Sequence, residues 1–152
     1  MSKQIKLKII TPEKLIFDEL VDQVSLPTVN GEITILSDHI PLIVDLSAGD
    51  IVAVKNNEDI PFVVVGGFVE IKNDENQDNN KITEVAVLAD FAETVLDLSD
   101  DIIAEAKARA EKLKTEMDSK ELVDFERLET ELARSLTRIK IADKWRIKKY
   151  RK

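Results

Sequence analysis

Every glycine and every proline of this 152-residue chain lies at or before Gly67. Proline lacks a backbone N–H group and fixes its own φ angle, and glycine admits left-handed backbone, so both residue types mark turns and element ends. The first half of the chain is therefore expected to consist of short elements joined by close turns. The second half lacks these breakers and is free to form long helices.

The first region has the pattern of short β-strands. Apolar residues alternate with other residues in Ile5 to Ile9 and again in Ile82 to Val87, which is the period of a half-buried strand. We expect a bulge or a tight corner at Gly66-Gly67. Further apolar runs cover residues 23–26, 32–36, 50–55, 62–65 and 68–71. Many short strands with close turns predict an antiparallel β-sandwich over residues 1–90.

The segment of residues 72–81 contains no apolar side chain, so we expect an exposed hairpin tip or loop there. Its Asp74, Asn76 and Asp78 match the opening spacing of a calcium loop. The required glycine is replaced by an asparagine, however, and Val85 stands where the final glutamate is needed. We therefore predict no calcium site.

The residues for catalysis are missing. The chain has no cysteine, and its single histidine, His39, cannot form a multi-histidine metal site. As a general base His39 would need a partnered nucleophile, which Ser37 offers only weakly, so a surface or turn histidine is expected. Gly66-Gly67 is not followed by the lysine and hydroxyl residue of a phosphate loop. We predict a protein that is not an enzyme and that has no cofactor and no metal site.

Residues 91–152 have a helical period. Ser99 is a candidate N-cap, and Asp100 and Asp101 follow it in the first turn, where carboxylates favour the helix dipole. A break follows at Asp118-Ser119, so two helices are expected to fold back as an antiparallel hairpin. The predicted seam consists of Ile103, Ala106, Ala110 and Leu113 on the first helix and Phe125, Leu128, Leu132 and Leu136 on the second.

The alanines weaken this seam. An alanine buries about one methyl group, far less than the ~1.5–3 kcal/mol that burial of a leucine provides. Such a hairpin can exchange between a folded-back form and an extended form that presents its stripes to a partner. A static hairpin remains an equal alternative.

The charge of the chain is divided. Residues 134–152 contain nine lysines or arginines and one acid, so they carry 9 − 1 = +8, and residues 1–133 carry 13 − 29 = −16. A segregated basic end is typical of a segment that meets an acidic partner. Nucleic acid is disfavoured because the acidic remainder would repel phosphates. Anionic lipid stays open, as does a solvated helix end with no partner.

Targeting signals are not apparent. No apolar run comes near the ~20 residues that span a bilayer. The beginning of the chain, MSKQIKLKII, lacks the unbroken apolar stretch of a secretory signal. We expect a cytoplasmic translation product.

Three segments resemble one known family in order and spacing. Residues 26–43 read LPTVNGEITILSDHIPLI, residues 66–71 read GGFVEI, and residues 85–93 read VAVLADFAE. This succession resembles the epsilon subunit of the F-type ATP synthase, in which a sandwich with these motifs precedes two C-terminal helices. The order matches along nearly the whole chain.

The resemblance implies a non-catalytic rotor subunit of the central stalk that joins the gamma subunit to the c-ring and restrains ATP hydrolysis through its C-terminal helices. The residues at the positions that match the family's motif, and to which the resemblance assigns rotor docking, are Gly31, Glu32, His39, Pro41 and Leu42. In an extended inhibitory state the helices would meet acidic residues of the alpha and beta subunits. The basic face implied for that contact consists of Arg134, Arg138, Lys140, Lys144, Arg146 and Lys148. The subunit would sit peripherally at the cytoplasmic face of a bacterial energy-coupling membrane, bound to it only through the complex.

The chain departs from the family pattern at several places, including Thr34, where the family often has glycine, and a basic tail that extends further than in many members. Ser37-Asp38 replaces the Pro-Gly that often precedes the histidine, so the turn geometry there is open. Some members bind ATP through a motif arginine, and Ile102 stands in its place. ATP binding is therefore not expected, unless a shifted set consisting of Asp101, Arg109, Arg134 and Arg138 replaces that motif. The alternative function is a free-standing adaptor whose basic helix engages an acidic partner or an anionic membrane.

Overall fold

A computed structural model describes residues 3–75, 81–118 and 124–150. The chain divides into two compact units, Met1–Thr94 and Val95–Lys152. The division falls four residues after the boundary that the sequence led us to expect, because the last strand continues to Thr94.

The described residues of unit 1 form eight strands. Their order in the sheet is β2-β1-β8-β7-β6-β3-β4, and β5 pairs with β7. The predicted antiparallel β-sandwich is confirmed with one exception, since β1 and β8 run parallel. The strands are β1 (Ile5–Ile10), β2 (Leu15–Val21), β3 (Gln23–Thr28), β4 (Gly31–Ile35), β5 (Leu42–Asp45), β6 (Gly49–Lys55), β7 (Glu58–Glu75) and β8 (Lys81–Thr94).

The core of unit 1 lies between strands that are not neighbours in the sheet. Phe17 of β2 meets Phe62 of β7 edge to face, with ring centroids 5.1 Å apart. Leucine, isoleucine and valine side chains surround this pair, and most of them are completely buried. Each contributes about 1.5–3 kcal/mol relative to an exposed position, which makes this unit the well-packed part of the molecule. Fully buried members include Ile5, Leu7, Ile9, Val24, Leu26, Ile35 and Ile51.

The long strand β7 corrects two expectations and decides between the two alternatives at Gly66-Gly67. It includes both predicted apolar runs, 62–65 and 68–71, and it continues to Glu75, so residues 72–75 are strand rather than loop. The register against β8 is the same at Val65↔Phe91 and at Gly67↔Ala89. Because no residue is inserted, Gly66-Gly67 is a corner and not a bulge. β7 pairs with β6 before this corner and with β5 after it.

The two glycines of the corner both have positive φ angles. The φ angles are 76° at Gly66 and 116° at Gly67. A Cβ on Gly67 would overlap the carbonyl oxygen of Leu88 on the neighbouring strand. Glycine is therefore needed at position 67 for two reasons, the backbone conformation and the close approach of β8.

Two strands were not expected. β2 (LIFDELV) shows no regular alternation of burial, because it lies at the edge of the sheet with four of its seven residues exposed. β5 has only four residues, fewer than the five or six of a typical strand, and it follows a loop without a strong apolar run. The predicted calcium-like segment continues into residues 76–80, which lie outside the described residues.

Unit 2 contains a 3-10 turn (Val95–Asp97) and two helices, α1 (Asp100–Asp118) and α2 (Phe125–Tyr150). The expected N-cap is present, since Ser99 Oγ accepts a hydrogen bond from the backbone N–H of Ile102 at 3.3 Å. A second cap was not expected. Asp124 Oδ1 accepts a hydrogen bond from the backbone N–H of Arg127 at 3.2 Å, which fixes the start of α2.

The residues of the predicted seam differ in burial between α1 and α2. The four seam residues of α1 are buried, as is Leu128, and Leu132 is half-buried. Phe125 and Leu136 are instead 50% and 42% exposed. Four-residue steps advance by about 40° per step beyond a full turn, so a stripe from Leu128 to Leu136 rotates away from the partner helix.

Seven-residue steps drift by only about 20°, and such steps connect Leu128, Ser135 and Ala142. All three are buried. They lie on the side of α2 that carries Glu131, whose carboxylate accepts a hydrogen bond from Arg109 of α1 at 2.7 Å. The buried residues of the hairpin therefore include small side chains on both helices, and on α2 these lie beside the large apolar Leu128 and Ile141.

Candidate functional site

The first candidate docking element is the turn between β3 and β4. Thr28 Oγ1 donates to the carbonyl oxygen of Gly31 at 2.5 Å and accepts from the backbone N–H of Asn30 at 3.2 Å. Gly31 has a φ of 111°. This buried threonine holds the turn from inside, and Glu32 follows it with an exposed side chain.

The second docking element is the loop of residues 36–41, which carries His39 and Pro41. The backbone N–H of His39 donates to the carbonyl oxygen of Leu36 at 3.2 Å and closes a tight turn. Asp38, inside this turn, has a φ of 66°. The turn therefore keeps the left-handed backbone that glycine usually provides, although serine and aspartate replace Pro-Gly.

The imidazole of His39 is half-buried. Its Nδ1 lies 2.7 Å from the carbonyl oxygen of Ile40. A carbonyl oxygen only accepts hydrogen bonds, so Nδ1 carries a proton in this contact and Nε2 is the ring nitrogen left for another group.

The five predicted docking residues do not form one cluster. Gly31 and Glu32 lie at the start of β4, whereas His39, Pro41 and Leu42 follow its end. At about 3.3 Å per residue, the five-residue strand separates the two groups by about 15 Å. Among the described strands β4 pairs only with β3, so an exposed sheet edge connects the two groups.

An apolar surface on the sandwich was missed by the sequence patterns. Strand register aligns Phe68 with Leu88, Leu88 with Ile10, and Ile10 with Leu15 across β7, β8, β1 and β2. We call these four side chains the apolar row. Phe68, Leu88 and Leu15 are exposed and Ile10 is half-buried.

The apolar row points away from the core, because its strand neighbours Ile9, Val69 and Val87 are buried. Within each strand, the alternation of residues shows from the sequence which side chains point away from the core. Which strands are neighbours, and hence that four separate apolar residues meet in one row, depends on pairing between strands that are far apart in the chain.

The basic side chains of α2 do not share one face. Arg134 and Lys140 are six positions apart, which places them about 240° apart around a helix. Arg134 and Arg138 are half-buried, while Lys140, Lys144 and Arg146 are exposed. The side chain of Lys148 lies outside the described residues. The predicted basic face is therefore a basic helix end with charges on several sides.

Ion pairs between described residues join the two helices. Arg146 of α2 donates to the carboxylate of Asp100 at the start of α1, and Arg109 pairs with Glu131 at 2.7 Å. Arg109 was one member of the alternative nucleotide-binding set, and its guanidinium is used inside the hairpin. Ile102 is half-buried, and its backbone N–H donates to the Ser99 cap. The expectation that ATP does not bind stays a prediction.

One lysine on β7 has a clearly shifted pKa. The carboxylates of Asp74 and Glu84, 3.5 and 3.6 Å from Lys72 Nζ, raise the pKa of Lys72 above its usual value. The three side chains are partly exposed, so their energetic contribution is small.

Among the described helices none combines the length and apolar character needed to cross a bilayer.

Comparison with known proteins agrees with this architecture. Residues 4–95 match the family described as ATP synthase, Delta/Epsilon chain, beta-sandwich domain. The chain is 38% identical over 145 residues to an ATP synthase epsilon chain of Dehalococcoides mccartyi, covering 94% of this chain and 95% of the relative. It is 36% identical over 141 residues to that of Nitratidesulfovibrio vulgaris, covering 93% and 97%.

A solved structure shares the fold. A chain of the Euglena gracilis mitochondrial ATP synthase, solved as an OSCP, F1 and c-ring assembly, superposes with a TM-score of 0.61 at 17% identity. The match covers 99% of this chain and 84% of that one. Sequence and fold thus agree over both units. The chain belongs to the family of ATP synthase epsilon chains.

Proposed function

We propose that this chain is a non-catalytic rotor subunit of the central stalk, which joins gamma to the c-ring and restrains ATP hydrolysis through its C-terminal helices. The observation that carries the proposal is the contrast between the units. Unit 1 has a fully buried apolar core beneath exposed docking elements. Unit 2 is a helical pair whose smaller core mixes alanine and serine with a few large apolar residues, and its helices are joined by surface ion pairs such as Arg146–Asp100.

Unit 1 would dock through two different surfaces. The apolar row would bind gamma, because an exposed run of large apolar side chains is stabilised when a partner removes it from water. The edge of β4, with Gly31 and Glu32 at one end and His39 at the other, would face the c-ring. Its two ends, about 15 Å apart, would give the rotor two points of contact.

Unit 2 would act as a reversible brake. To reach acidic residues on the alpha and beta subunits, α2 must leave α1, which breaks the small-residue seam and the pairs Arg146–Asp100 and Arg109–Glu131. Each surface pair contributes only about 0–1 kcal/mol. The folded-back and extended forms would then differ by about a few kcal/mol, which a partner surface can supply.

The experiment is reconstitution with an ATP synthase complex from which epsilon has been removed. The full chain should bind in a stable complex with gamma and lower ATPase activity. A chain ending at Thr94 should bind gamma equally well and leave ATPase activity uninhibited. Unchanged ATPase activity on deletion of residues 95–152 would contradict the brake, and failure of either chain to bind gamma would contradict the docking role.

Charge is tested separately. Replacing Arg134, Arg138, Lys140 and Lys144 by glutamine should relieve inhibition without weakening rotor binding. Inhibition should also soften as salt rises, because the Debye length falls from ~10 Å at 0.1 M to ~3 Å at 1 M. The matched assay is co-sedimentation of the chain with anionic liposomes. Strong binding there, without binding to gamma, would favour the membrane adaptor instead.

A further inference from the structure

Two polar side chains behind the His39 loop form a closed set of hydrogen bonds. Asn73 of β7 and Thr83 of β8 are direct cross-strand partners. Thr83 Oγ1 donates to Asn73 Oδ1 at 2.7 Å and accepts from the backbone N–H of Asp38 at 2.8 Å. Asn73 Nδ2 donates to the carbonyl oxygen of His39 at 2.9 Å.

These bonds hold both ends of one dipeptide. The dipeptide is Asp38-His39. The N–H group of Asp38 at its start and the carbonyl group of His39 at its end are each hydrogen-bonded to a side chain of the sheet. Thr83 is only 1% exposed, so water does not replace its contact with the loop. The hydroxyl acts as donor and as acceptor, and the amide is used at both of its ends. Each side chain makes one bond to the loop and is oriented by the bond to the other side chain.

The held dipeptide has an unfavourable backbone conformation. A φ of 66° at Asp38 is left-handed, which a residue with a Cβ adopts only when its surroundings enforce it. The ion pair between Lys3 and Asp38, 3.5 Å apart, is exposed and therefore contributes little. The bonds to Thr83 and Asn73 are part-buried and tie this turn to the sheet.

We propose that Asn73 and Thr83 form a latch that positions the loop of residues 36–41 for docking to the rotor. Neither residue would touch the partner, and both act through the loop backbone. The latch presents His39 and the neighbouring Ile40, which is 72% exposed, in a fixed geometry. A loop that is ordered before binding loses less conformational entropy on association, so the latch would raise affinity without adding a contact. The inference rests on the proposed docking role of the loop.

The first measurement is NMR of the isolated full chain. His39 is the only histidine, so its ring C–H resonances give a single reporter inside the loop. Thr83→Val removes the hydroxyl and should shift or broaden these resonances, whereas Thr83→Ser should leave them near their native positions. The matched control is Thr11→Val, because Thr11 Oγ1 bonds the backbone of Lys14 in a different turn of the sandwich. It should leave the His39 resonances unchanged.

The second measurement is affinity for a complex of gamma with the c-ring. Loss of one net hydrogen bond corresponds to about a three- to tenfold change in an equilibrium constant, so Thr83→Val should weaken binding by about that factor. Thr83→Ser should restore affinity to about the native value. Asn73→Asp provides a second route if the valine variant does not fold, because it removes the donor to His39 and keeps an acceptor for Thr83.

A double variant locates the effect in the loop. Asp38→Gly relieves the left-handed strain, so Thr83→Val should weaken binding less in that background than in the native chain. Additive effects, an unmoved His39 resonance in both Thr83→Val and Asn73→Asp, or failure of serine to rescue would each overturn the latch. If the native chain itself does not bind gamma with the c-ring, the proposed function fails, while the NMR measurement still decides whether the latch holds the loop.

Discussion

The two units of the chain use their apolar residues differently. Unit 1 buries large branched and aromatic side chains around Phe62, and its backbone is fixed by a continuous strand ladder. Unit 2 buries alanine and serine among a few leucine and isoleucine side chains, and ion pairs supplement this smaller seam. The contrast indicates that stability in this molecule is local. A single substitution of the same chemical kind should therefore have very different effects in the two units.

The largest effect is expected from the core of unit 1. Phe62→Ala removes the ring that packs against Phe17 and should lower the free energy of unfolding by about 3–5 kcal/mol. Urea unfolding followed by circular dichroism measures this loss. The comparison substitution is Ala106→Gly in the hairpin seam, which should cost only about 1 kcal/mol. Equal losses at the two sites would contradict the contrast between the units.

The next effect concerns the corner of β7. Gly67→Ala introduces both an unfavourable φ and an overlap with the Leu88 carbonyl, so we expect a loss of about 3 kcal/mol or more. Gly31→Ala is the control, because its φ of 111° is similar and a Cβ there has no neighbour within 4 Å. It should cost about 1–2 kcal/mol, for the backbone alone. Thermal unfolding of the two variants separates the overlap from the strain.

A smaller effect is expected in the opposite direction within unit 2. Ser135→Ala replaces a buried hydroxyl in the seam by a better helix former and should stabilise the folded-back hairpin by about 0.5 kcal/mol. Amide hydrogen exchange across α2 should become slower and ATPase inhibition weaker. Leu136→Ala, one position further on an exposed side, should leave exchange nearly unchanged. Faster exchange in Ser135→Ala would show that the seam is not at this position.

The smallest effect concerns the ion pair at the start of α1. Asp100→Asn removes the partner of Arg146 and should destabilise the hairpin by at most about 1 kcal/mol, less at high salt. The control is Asp101→Asn, which removes one negative charge from the same turn of the helix and leaves the Arg146 pair intact. Hydrogen exchange of α2 in low and high salt compares the two variants. A difference that persists at 1 M salt would argue against an electrostatic origin.

The strands that could be predicted from sequence are those whose two faces differ. Ile5 to Ile9 alternates because one face meets the core, and the observed burial follows that alternation. β2 was not predicted because it is an edge strand with several exposed residues, so its two faces do not differ clearly in polarity. The corner at Gly66-Gly67 was expected, but only the unchanged register on both of its sides excludes a bulge.

The candidate site was less predictable because its parts come from separate segments. The apolar row requires knowledge that β1 lies beside β8, and the latch requires the pairing of Asn73 with Thr83. The seam of α2 was misjudged at Leu136 because four-residue spacing was extended over two steps, where the rotation of the helix accumulates. The spacing of apolar residues predicts strands and helices. The surfaces that these elements form together depend on pairing between segments that are far apart in the chain.

The parallel pairing of β1 with β8 has a consequence for how the protein is made. The first strand emerges from the ribosome early and can form a hairpin with β2, but its other edge has no partner until residues 83–88 have been synthesised. Closing the sheet therefore joins the two ends of unit 1 in one late, long-range step. Until then the nascent chain carries an open apolar edge, and the helices, which follow in sequence, are translated only after the strand that completes the sheet.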